Sequence, residues 1–322
     1  MDTSSGDMRI DGAPSYPDTM DGSMHDEQAA LVALLQTRPE GMRWPEITAE
    51  VLEAGSAIEV WRQLVPATLM GPPGQPDALE SAAQDMDRWA SQGCKLVTIL
   101  DGDYPVRLRG IHQAPPMLFA RGTLIADDSA VSVVGSRKAS DRGLAITADV
   151  AHGLVTRGVT VVAGLALGID TAAHRAALAD GGRTVAVIGT GINKAYPAEN
   201  RDLQDEIAAR GLLLSQFWPD APPQRQNFLM RNATMSGYGL ATVVVEAGEH
   251  SGARAQARMA VEHGRPVILT DMVVKRNEWA QALVDRPGIH VASSLRSVLD
   301  VVDRLIEERA AVGDELRRFV SA

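Results

Sequence analysis

The alternation of short apolar runs with helix-length segments, from Val131 onward, constrains the fold of this chain more than any other feature. Each run is rich in β-branched residues, and a turn of small residues and then a longer segment follow it, which is typical of a parallel α/β sheet. Because the runs are almost continuously apolar, they predict strands buried on both faces, as in a Rossmann-like, doubly wound, mainly parallel sheet. The runs are VSVVG (131–135), VTVVAG (159–164), TVAVIG (184–189), LLLSQ (212–216), ATVVVEA (241–247) and PVILT (266–270).

The segments around this region divide the chain into four stretches. Residues 1–24 are acidic and rich in Gly, Pro and Ser, and they lack the basic and apolar regions of a secretory signal, so we expect a disordered tail and a cytoplasmic protein. Helical spacing predicts a small N-terminal helical accessory domain over residues 25–95. We expect the Rossmann-like domain over residues 96–295 and an amphipathic C-terminal helix over residues 296–322.

Composition and charge exclude some function classes and leave others open. Hydrophobic residues make up 45% of the chain, but no apolar run is long enough to cross a bilayer, so we expect no membrane partner. The net charge of −10 argues against a nucleic-acid partner until its distribution is considered. Residues 1–103 hold six Lys and Arg against 18 Asp and Glu, whereas residues 131–276 hold 16 against 13. The α/β region therefore has enough positive charge for a local basic groove.

The turn after the first run is the strongest candidate for ligand binding, because ligands of open α/β sheets bind beyond the carboxyl ends of the strands. Here Gly135, Ser136, Arg137 and Lys138 lead into a helix. Backbone N–H groups at a helix start, beside a hydroxyl and a guanidinium, predict a phosphate site. A tight turn with a surface arginine explains the same residues equally well, since the loop is neither a GxGxxG nor a Walker A motif.

The turn after the second run is also rich in small residues. Gly164 and Gly168 allow a ligand backbone to approach the next helix closely. Asp170 stands where it can cap that helix, and this role is favoured over catalysis. His174 follows four residues later on the same helical face, where a packing or hydrogen-bonding role is more frequent than that of a base.

The third turn contains Gly191, Lys194 and Tyr196, which form another backbone cradle with a cation and an aromatic ring. Tyr196 is a candidate for stacking on a base, although a tyrosine before a proline also serves to anchor a loop.

Two later segments complete the set of candidate phosphate ligands. Arg231 and Asn232 add a cation and an amide beside an apolar run, and Ser251 and Gly252 predict one more anion-binding nest at a helix start. No histidine or carboxylate has the spacing of a catalytic triad or a metal site, and the single cysteine, Cys94, cannot form an intramolecular disulfide. We expect no catalytic residue, no metal and no cofactor.

Taken in order, these loops resemble those of the DprA/Smf DNA-processing family over roughly residues 104–270. The resemblance rests on YPVRLRGIHQAPPMLFARG, VVGSRKASDRG, VVAGLALGIDTAAHRAALADGGRTVAVIGTGINKAYPAEN, FLMRN and VVVEAGEHSG. It implies a Rossmann-like domain that binds and protects single-stranded DNA, forms a homodimer and hands DNA to the RecA recombinase in transformation or recombination. It also implies that Arg137 and Arg231 line the DNA pocket.

The chain departs from this family at several positions. Ala233 stands where the family usually has a second arginine, Gln216 replaces a usual glutamate, and Thr270-Asp271 replaces a usual Pro-Gly. An alternative is therefore a nucleotide-binding sensor, or a relative of the phosphoribohydrolases that share the glycine-loop architecture. Hydrolysis is disfavoured, because no acid follows Ser251-Gly252 where those enzymes carry a glutamate.

Overall fold

A computed structural model describes residues 19–65 and 77–320. Four helices of the N-terminal region come first: α1 (Thr19–Thr37), α2 (Trp44–Ala54), α3 (Ala57–Leu64) and α4 (Ala78–Ser91). Helix α1 begins at Thr19, within the stretch expected to be a disordered tail up to residue 24, so that boundary was too late. The turns of α1 from Ala29 onward are buried, and because a helix that has formed extends easily, the preceding residues continue it. Residues 1–18 of the expected tail, and most of the loop at 71–77, lie outside the described residues.

The α/β region is built on one nine-stranded sheet. Its strands are β1 (Lys95–Thr98), β2 (Met117–Gly122), β3 (Ala130–Gly135), β4 (Thr160–Ala163), β5 (Thr184–Val187), β6 (Leu212–Ser215), β7 (Ala241–Glu246), β8 (Val267–Thr270) and β9 (Ile289–Ala292). The helices between and after them are α5 (Val106–Arg109), α6 (Asp141–Val155), α7 (Ile169–Ala179), α8 (Arg201–Arg210), α9 (Arg225–Tyr238), α10 (Gly252–Glu262), α11 (Asp271–Arg276), α12 (Glu278–Gln281) and α13 (Leu295–Val320).

The strand order is β1-β2-β6-β5-β4-β3-β7-β8-β9. The pairings from β6 to β9 are parallel, whereas β1–β2 and β2–β6 are antiparallel, so the sheet is mainly parallel as predicted. From β3 the chain proceeds outward through β4, β5 and β6, and it then returns to place β7 on the other side of β3. The topological switch point therefore lies between β3 and β7, where ligands bind in folds of this kind.

Alternating side chains of the strands pack on opposite faces of the sheet. Val131 and Val133 of β3 pack with α6, α7 and α13, while Val134 packs in the core that α9 and α10 cover. The N-terminal helices share a third core with Phe119 and Leu213 of the sheet. This double coverage confirms the doubly wound fold, and it explains why the strand sequences are apolar at nearly every position.

Strand β2 and the short helices α5 and α11 were not predicted. Strand β2 is antiparallel and lies outside the repeating pattern of strand, turn and helix. The helix-length segment expected after the fourth run forms α9, which is buried at every position from Arg231 to Tyr238. Among the described residues, no helix is both long enough and apolar enough to span a bilayer.

Candidate functional site

A cleft of 970 Å³ opens at the switch point, beyond the carboxyl ends of β3 and β7. The loop after β3, the loop after β7, the first turns of α10 and one side of α9 form its walls. Its lining includes ten of the residues predicted from the sequence: Gly135, Ser136, Arg137, Lys138, Asp170, Tyr196, Arg231, Asn232, Ser251 and Gly252. Sequence segments far apart along the chain therefore converge on one site.

The cleft is strongly cationic. Arg137, Lys138, Arg225 and Arg231 line it, against a single lining carboxylate, Asp170. Arg137 is exposed, and among the described residues no carboxylate oxygen lies within 4.0 Å of its guanidinium. The rim therefore carries positive charges that form no ion pair with a carboxylate in the described part of the chain, which is the electrostatic requirement for binding a polyanion.

An aromatic pair stands beside these cations. The guanidinium carbon of Arg137 lies 5.8 Å from the centre of the Phe228 ring, and the rings of Phe228 and Tyr196 are 5.4 Å apart. Tyr196 is 42% exposed, so its ring presents a free face to the solvent. Partly exposed aromatic rings next to cations, here tilted by 45° to one another, suit a nucleobase whose phosphate is held nearby.

The start of α6 is not the phosphate site that the sequence predicted. The carboxylate of Glu246, at the end of β7, accepts hydrogen bonds from Ser140 N at 3.0 Å and from Ser140 Oγ at 2.8 Å. Ser140 Oγ in turn caps the helix by accepting from Gly143 N. An internal anion thus occupies this helix N-terminus, which leaves phosphate binding to the loop residues before it.

The start of α10 is different. Ser251 caps this helix with its own hydroxyl, which accepts from Arg254 N. Ser251 and Gly252 line the cleft, and no other residue lies within 4 Å of the position that a Gly252 side chain would take. The N-terminal end of α10 therefore faces the cleft, and none of the described residues places a carboxylate on it, so the nest there stays a prediction.

The floor of the cleft contains a buried acid and a buried guanidinium. Asp170 is 6% exposed, and its Oδ2 accepts from Gly164 N at 3.0 Å and from Ala166 N at 3.4 Å. Arg231 is 5% exposed, and its Nη1 donates to the carbonyl oxygen of Val187 at 2.9 Å. Burial raises the pKa of Asp170 and lowers that of Arg231, and each charge partly offsets the shift of the other.

The predicted cap of α7 was wrong. Gly168, with φ of 78°, occupies the N-cap position, and Asp170 lies within the first turn, where its carboxylate holds the preceding loop rather than the helix end. His174 is fully buried, its Nδ1 lies 2.7 Å from Thr184 Oγ1, and burial lowers its pKa to about 3.

Four of the predicted phosphate ligands do not line the cleft. Gly164 makes room for the Arg231 guanidinium, which occupies the space that a side chain would need. Gly168 and Gly191 pack against backbone atoms of neighbouring loops. Lys194 points elsewhere, with its Nζ 3.7 Å from Asp220 Oδ1. Glycine at these loop positions is thus required mainly for internal packing, and among the predicted glycines only Gly252 has open space beside it.

Sequence reasoning missed several lining residues, of which Arg225, Phe228, His250 and Gln256 carry polar or aromatic groups. Arg225 and Phe228 belong to α9, and their one signal was proximity to the Arg231-Asn232 motif. Within the described residues, no group of three or more His, Cys, Asp or Glu side chains is placed to hold a metal ion.

Comparison with known proteins agrees with this geometry. The model of the family described as DNA recombination-mediator protein A matches residues 95–302. The chain belongs to this family. The match covers the whole sheet, including both loops at the switch point.

Curated relatives carry the names DprA and Smf. The DNA processing protein DprA of Streptococcus pneumoniae is 43% identical over 172 residues, which are 53% of this chain and 61% of that protein. A putative DNA processing protein DprA of Mycobacterium tuberculosis is 38% identical over 254 residues, 74% of this chain and 64% of that protein. Protein Smf of Synechocystis is 39% identical over 190 residues, 58% of this chain and 48% of that protein. The chain spans about half to two thirds of the length of these relatives.

Solved structures give the same result for the fold. The crystal structure of DprA from Streptococcus pneumoniae matches with a TM-score of 0.66 and 32% identity, covering 86% of this chain and 97% of that chain. DprA from Helicobacter pylori, a structure described by its single-stranded DNA binding mode, matches with a TM-score of 0.58 and 21% identity. It covers 66% of this chain and 96% of that chain, and at this identity it supports the fold alone.

Proposed function

We propose that this protein binds single-stranded DNA in the cleft at the switch point, as a DNA-processing protein without a catalytic step. One observation carries the proposal: exposed cations that form no ion pair with any described carboxylate stand beside the exposed ring of Tyr196 and the half-buried ring of Phe228, at the ligand-binding edge of the sheet. Family membership and the DNA-processing names of the relatives support it. Protection of the bound strand follows, because a strand held in a cleft is less accessible to nucleases.

The rim and the nest are the proposed phosphate ligands. Arg137 and Lys138 follow β3, Arg225 begins α9, and the N–H groups at the start of α10 complete the set. Guanidinium groups bind phosphate oxygens through paired, charge-assisted hydrogen bonds, which are stronger than neutral ones. Phe228 and Tyr196 offer a stacking surface that every base can use, so we expect binding with little sequence preference.

Single strands are favoured over duplex because of where the aromatic surface lies. The rings of Phe228 and Tyr196 line the cleft and do not project from the surface of the protein. Only an unpaired base can leave its neighbours in the strand and stack on these rings. A duplex would present its phosphates to the rim but keep its bases out of reach.

Fluorescence anisotropy with labelled oligonucleotides tests the proposal. We expect the protein to bind a single strand more tightly than a duplex of the same length, and we expect affinity to fall steeply as salt increases, because bound counterions are released. Affinity that does not depend on salt, or a preference for duplex, would contradict it. A panel of free nucleotides in the same assay tests the alternative of a nucleotide sensor, which requires tight binding of a mononucleotide in preference to a strand.

Partners and organisation form part of the same proposal. The family description as recombination mediators supports transfer of bound DNA to a RecA-type recombinase. A homodimer is expected by similarity, and light scattering at micromolar concentration measures it; a monomer that binds DNA fully would remove the dimer from the mechanism.

The end of α4 at Ser91 and the start of β1 at Lys95 support a boundary near residue 95 between an accessory helical domain and the Rossmann-like domain. Likewise, α13 begins at Leu295, where the C-terminal helix was expected.

A further inference from the structure

Glu246, the last residue of β7, holds both ends of the loop that follows β3. Its backbone oxygen accepts a hydrogen bond from Ser136 N at 2.7 Å, at the start of that loop. Its carboxylate Oε2 accepts from Ser140 N at 3.0 Å and from Ser140 Oγ at 2.8 Å, at the end of the loop. Three residues, 137–139, lie between these two anchors. One residue of a neighbouring strand therefore fixes the span that carries two of the rim cations.

An irregularity in the sheet directs the Glu246 side chain to this loop. Val134 pairs with Val244, but Gly135 pairs with Glu246, so Val245 is an extra residue of β7 at this point. Regular alternation would turn Glu246 away from the face on which Val245 packs in one core with α6. A bulge re-aims the side chains beside it, and here the Glu246 carboxylate reaches the start of α6.

Two glycines make room for this arrangement. The Glu246 carboxylate occupies the space that a side chain on Gly143 would need. A side chain on Gly168, at the start of α7, would collide with the carbonyl oxygens of Ser136 and Arg137. The loop is therefore held by β7 at its two ends and supported by α7 beneath its first residues.

The charge of Glu246 does not itself favour DNA. Glu246 is not among the residues that line the cleft, and in the described part of the chain no Lys, Arg or His nitrogen lies within 4.0 Å of its carboxylate. An unpaired negative charge beside a site for phosphates opposes binding by Coulomb repulsion. Any favourable contribution of Glu246 to binding must therefore pass through the loop that it holds.

We propose that Glu246 is a positioning residue, which holds Arg137 and Lys138 at the rim of the cleft before DNA arrives. The inference rests on the proposed function. Arg137 is exposed, and its guanidinium carbon lies 5.8 Å from the centre of the Phe228 ring. A loop anchored at one end only would let both cations leave this place. Ordering them beforehand strengthens binding, because less conformational entropy is then lost when DNA binds.

Two substitutions at Glu246 separate positioning from charge, measured by anisotropy with a labelled single strand. Glu246→Gln removes the charge but keeps an oxygen for Ser140, whose N and Oγ both donate to the same carboxylate oxygen. We expect this variant to bind at least as tightly as the unmodified protein. Glu246→Ala removes the charge and the acceptor together, and we expect about tenfold weaker binding, the scale of one lost contact to a charged group. A nearby charge without a positioning role predicts tighter binding for both variants, and that result would overturn the proposal.

Removing the loop cations tests whether Glu246 acts through them. With Arg137→Ala and Lys138→Ala both present, and at low salt so that the remaining affinity is measurable, Glu246→Ala should change binding by less than about twofold. A tenfold loss in this background would place the action of Glu246 elsewhere and overturn the proposal. Glu53→Ala, at an exposed glutamate of α2, is the matched control for the loss of one negative charge and should not weaken binding.

Glu246→Asp decides the question if urea denaturation shows that Glu246→Ala does not fold. The shorter side chain keeps the charge but withdraws the carboxylate from Ser140. Positioning therefore predicts weaker binding, whereas a nearby charge predicts no change, so unchanged affinity of the folded variant would overturn the proposal. Failure of the unmodified protein to bind a single strand would instead overturn the proposed function, and this inference with it.

Discussion

The two ends of the parallel strands both collect arginines, but they use them in different ways. At the carboxyl ends, Arg137 is exposed, with no carboxylate of residues 19–65 or 77–320 within 4.0 Å, beside the exposed side chains of Lys138 and Arg225. At the amino ends, Arg183 lies 3.0 Å from Asp128 and Arg107 lies 3.1 Å from Asp127. The cations at the carboxyl ends can therefore bind an external anion, whereas the arginines at the amino ends form ion pairs within the fold.

The network at the amino ends ties distant segments together. Asp128, 5% exposed, also accepts from Tyr238 at 2.8 Å and from Thr160 at 2.6 Å, and Arg309 of α13 contacts Asp127. These bonds join the start of β3 to β4, β5, α9 and the C-terminal helix. DNA binding therefore cannot be inferred from the number of arginines in a region. It is better inferred from whether those arginines lack internal carboxylate partners.

Arg183→Ala should have the largest effect, and on stability alone. It leaves the Asp128 carboxylate buried without its counter-charge, so we expect the free energy of unfolding to fall by about 3 kcal/mol. Affinity for single-stranded DNA should not change in the fraction that stays folded. Urea denaturation and anisotropy measure the two quantities, with Arg175→Ala, an exposed arginine on α7, as the control. A loss of affinity without a loss of stability would erase the contrast between the two ends.

Arg137→Ala should do the opposite. The guanidinium has no carboxylate to support, so the free energy of unfolding should stay within about 0.5 kcal/mol. Removing a charge-assisted contact to phosphate should weaken DNA binding by about 1.5–3 kcal/mol. The slope of affinity against salt should fall by about 0.7 on logarithmic axes, the value for one phosphate contact on a single strand. A variant that keeps full affinity would remove the loop after β3 from the site.

Acid should weaken the fold beneath the cleft through His174. Its pKa is about 3 in the folded protein against an ordinary value of 6.5, so between these values the unfolded chain binds more protons and stability falls as the pH falls. From pH 7 to pH 5 this group should cost about 2 kcal/mol of unfolding free energy. His174→Asn keeps a donor for Thr184 but does not titrate, so it should lose about 2 kcal/mol less over the same interval. Parallel pH profiles of the two proteins would disprove the assignment.

Lys194→Ala should have the smallest effect. The sequence suggested a phosphate ligand, but the ammonium group lies 3.7 Å from Asp220 and outside the cleft lining. Exposed ion pairs contribute little, so we expect changes below about 0.5 kcal/mol in both stability and DNA affinity. A loss as large as that of Arg137→Ala, measured by the same anisotropy titration, would mean that the strand extends beyond the cleft toward β5.

Two departures from the family pattern fall inside the core rather than in the cleft. Ala233 is 3% exposed and does not line the cleft, so in this chain the missing arginine does not remove a cation from the site. Gln216 is 6% exposed, and its side-chain oxygen accepts a hydrogen bond from Thr234, the residue after Ala233. A neutral hydrogen bond thus stands at the position where the family has a charged residue.

The sequence by itself determined the class of fold and the edge of the sheet that carries the site. Strands buried on both faces must be apolar throughout, and connections that cross between parallel strands need helix-length segments, so both features are local and readable. Gly135, Arg137 and Ser251 were chosen as candidates for the same reason, since Gly135 ends β3 and the other two lie in the loops after β3 and β7.

Only the tertiary structure decided which charges are free. Glu246 lies 106 residues from Ser140 and fills the helix start that the sequence assigned to phosphate, and Asp220 pairs with a lysine assigned to DNA. Helix α9 carries Phe228 and the floor arginine, Arg231, but it is buried at every position from Arg231 to Tyr238, so no polar stripe in that half showed which residues face the cleft. A local sequence pattern indicates which residues of a segment are exposed to solvent and which are buried. The pairing of charges depends instead on which segments the folded chain brings together.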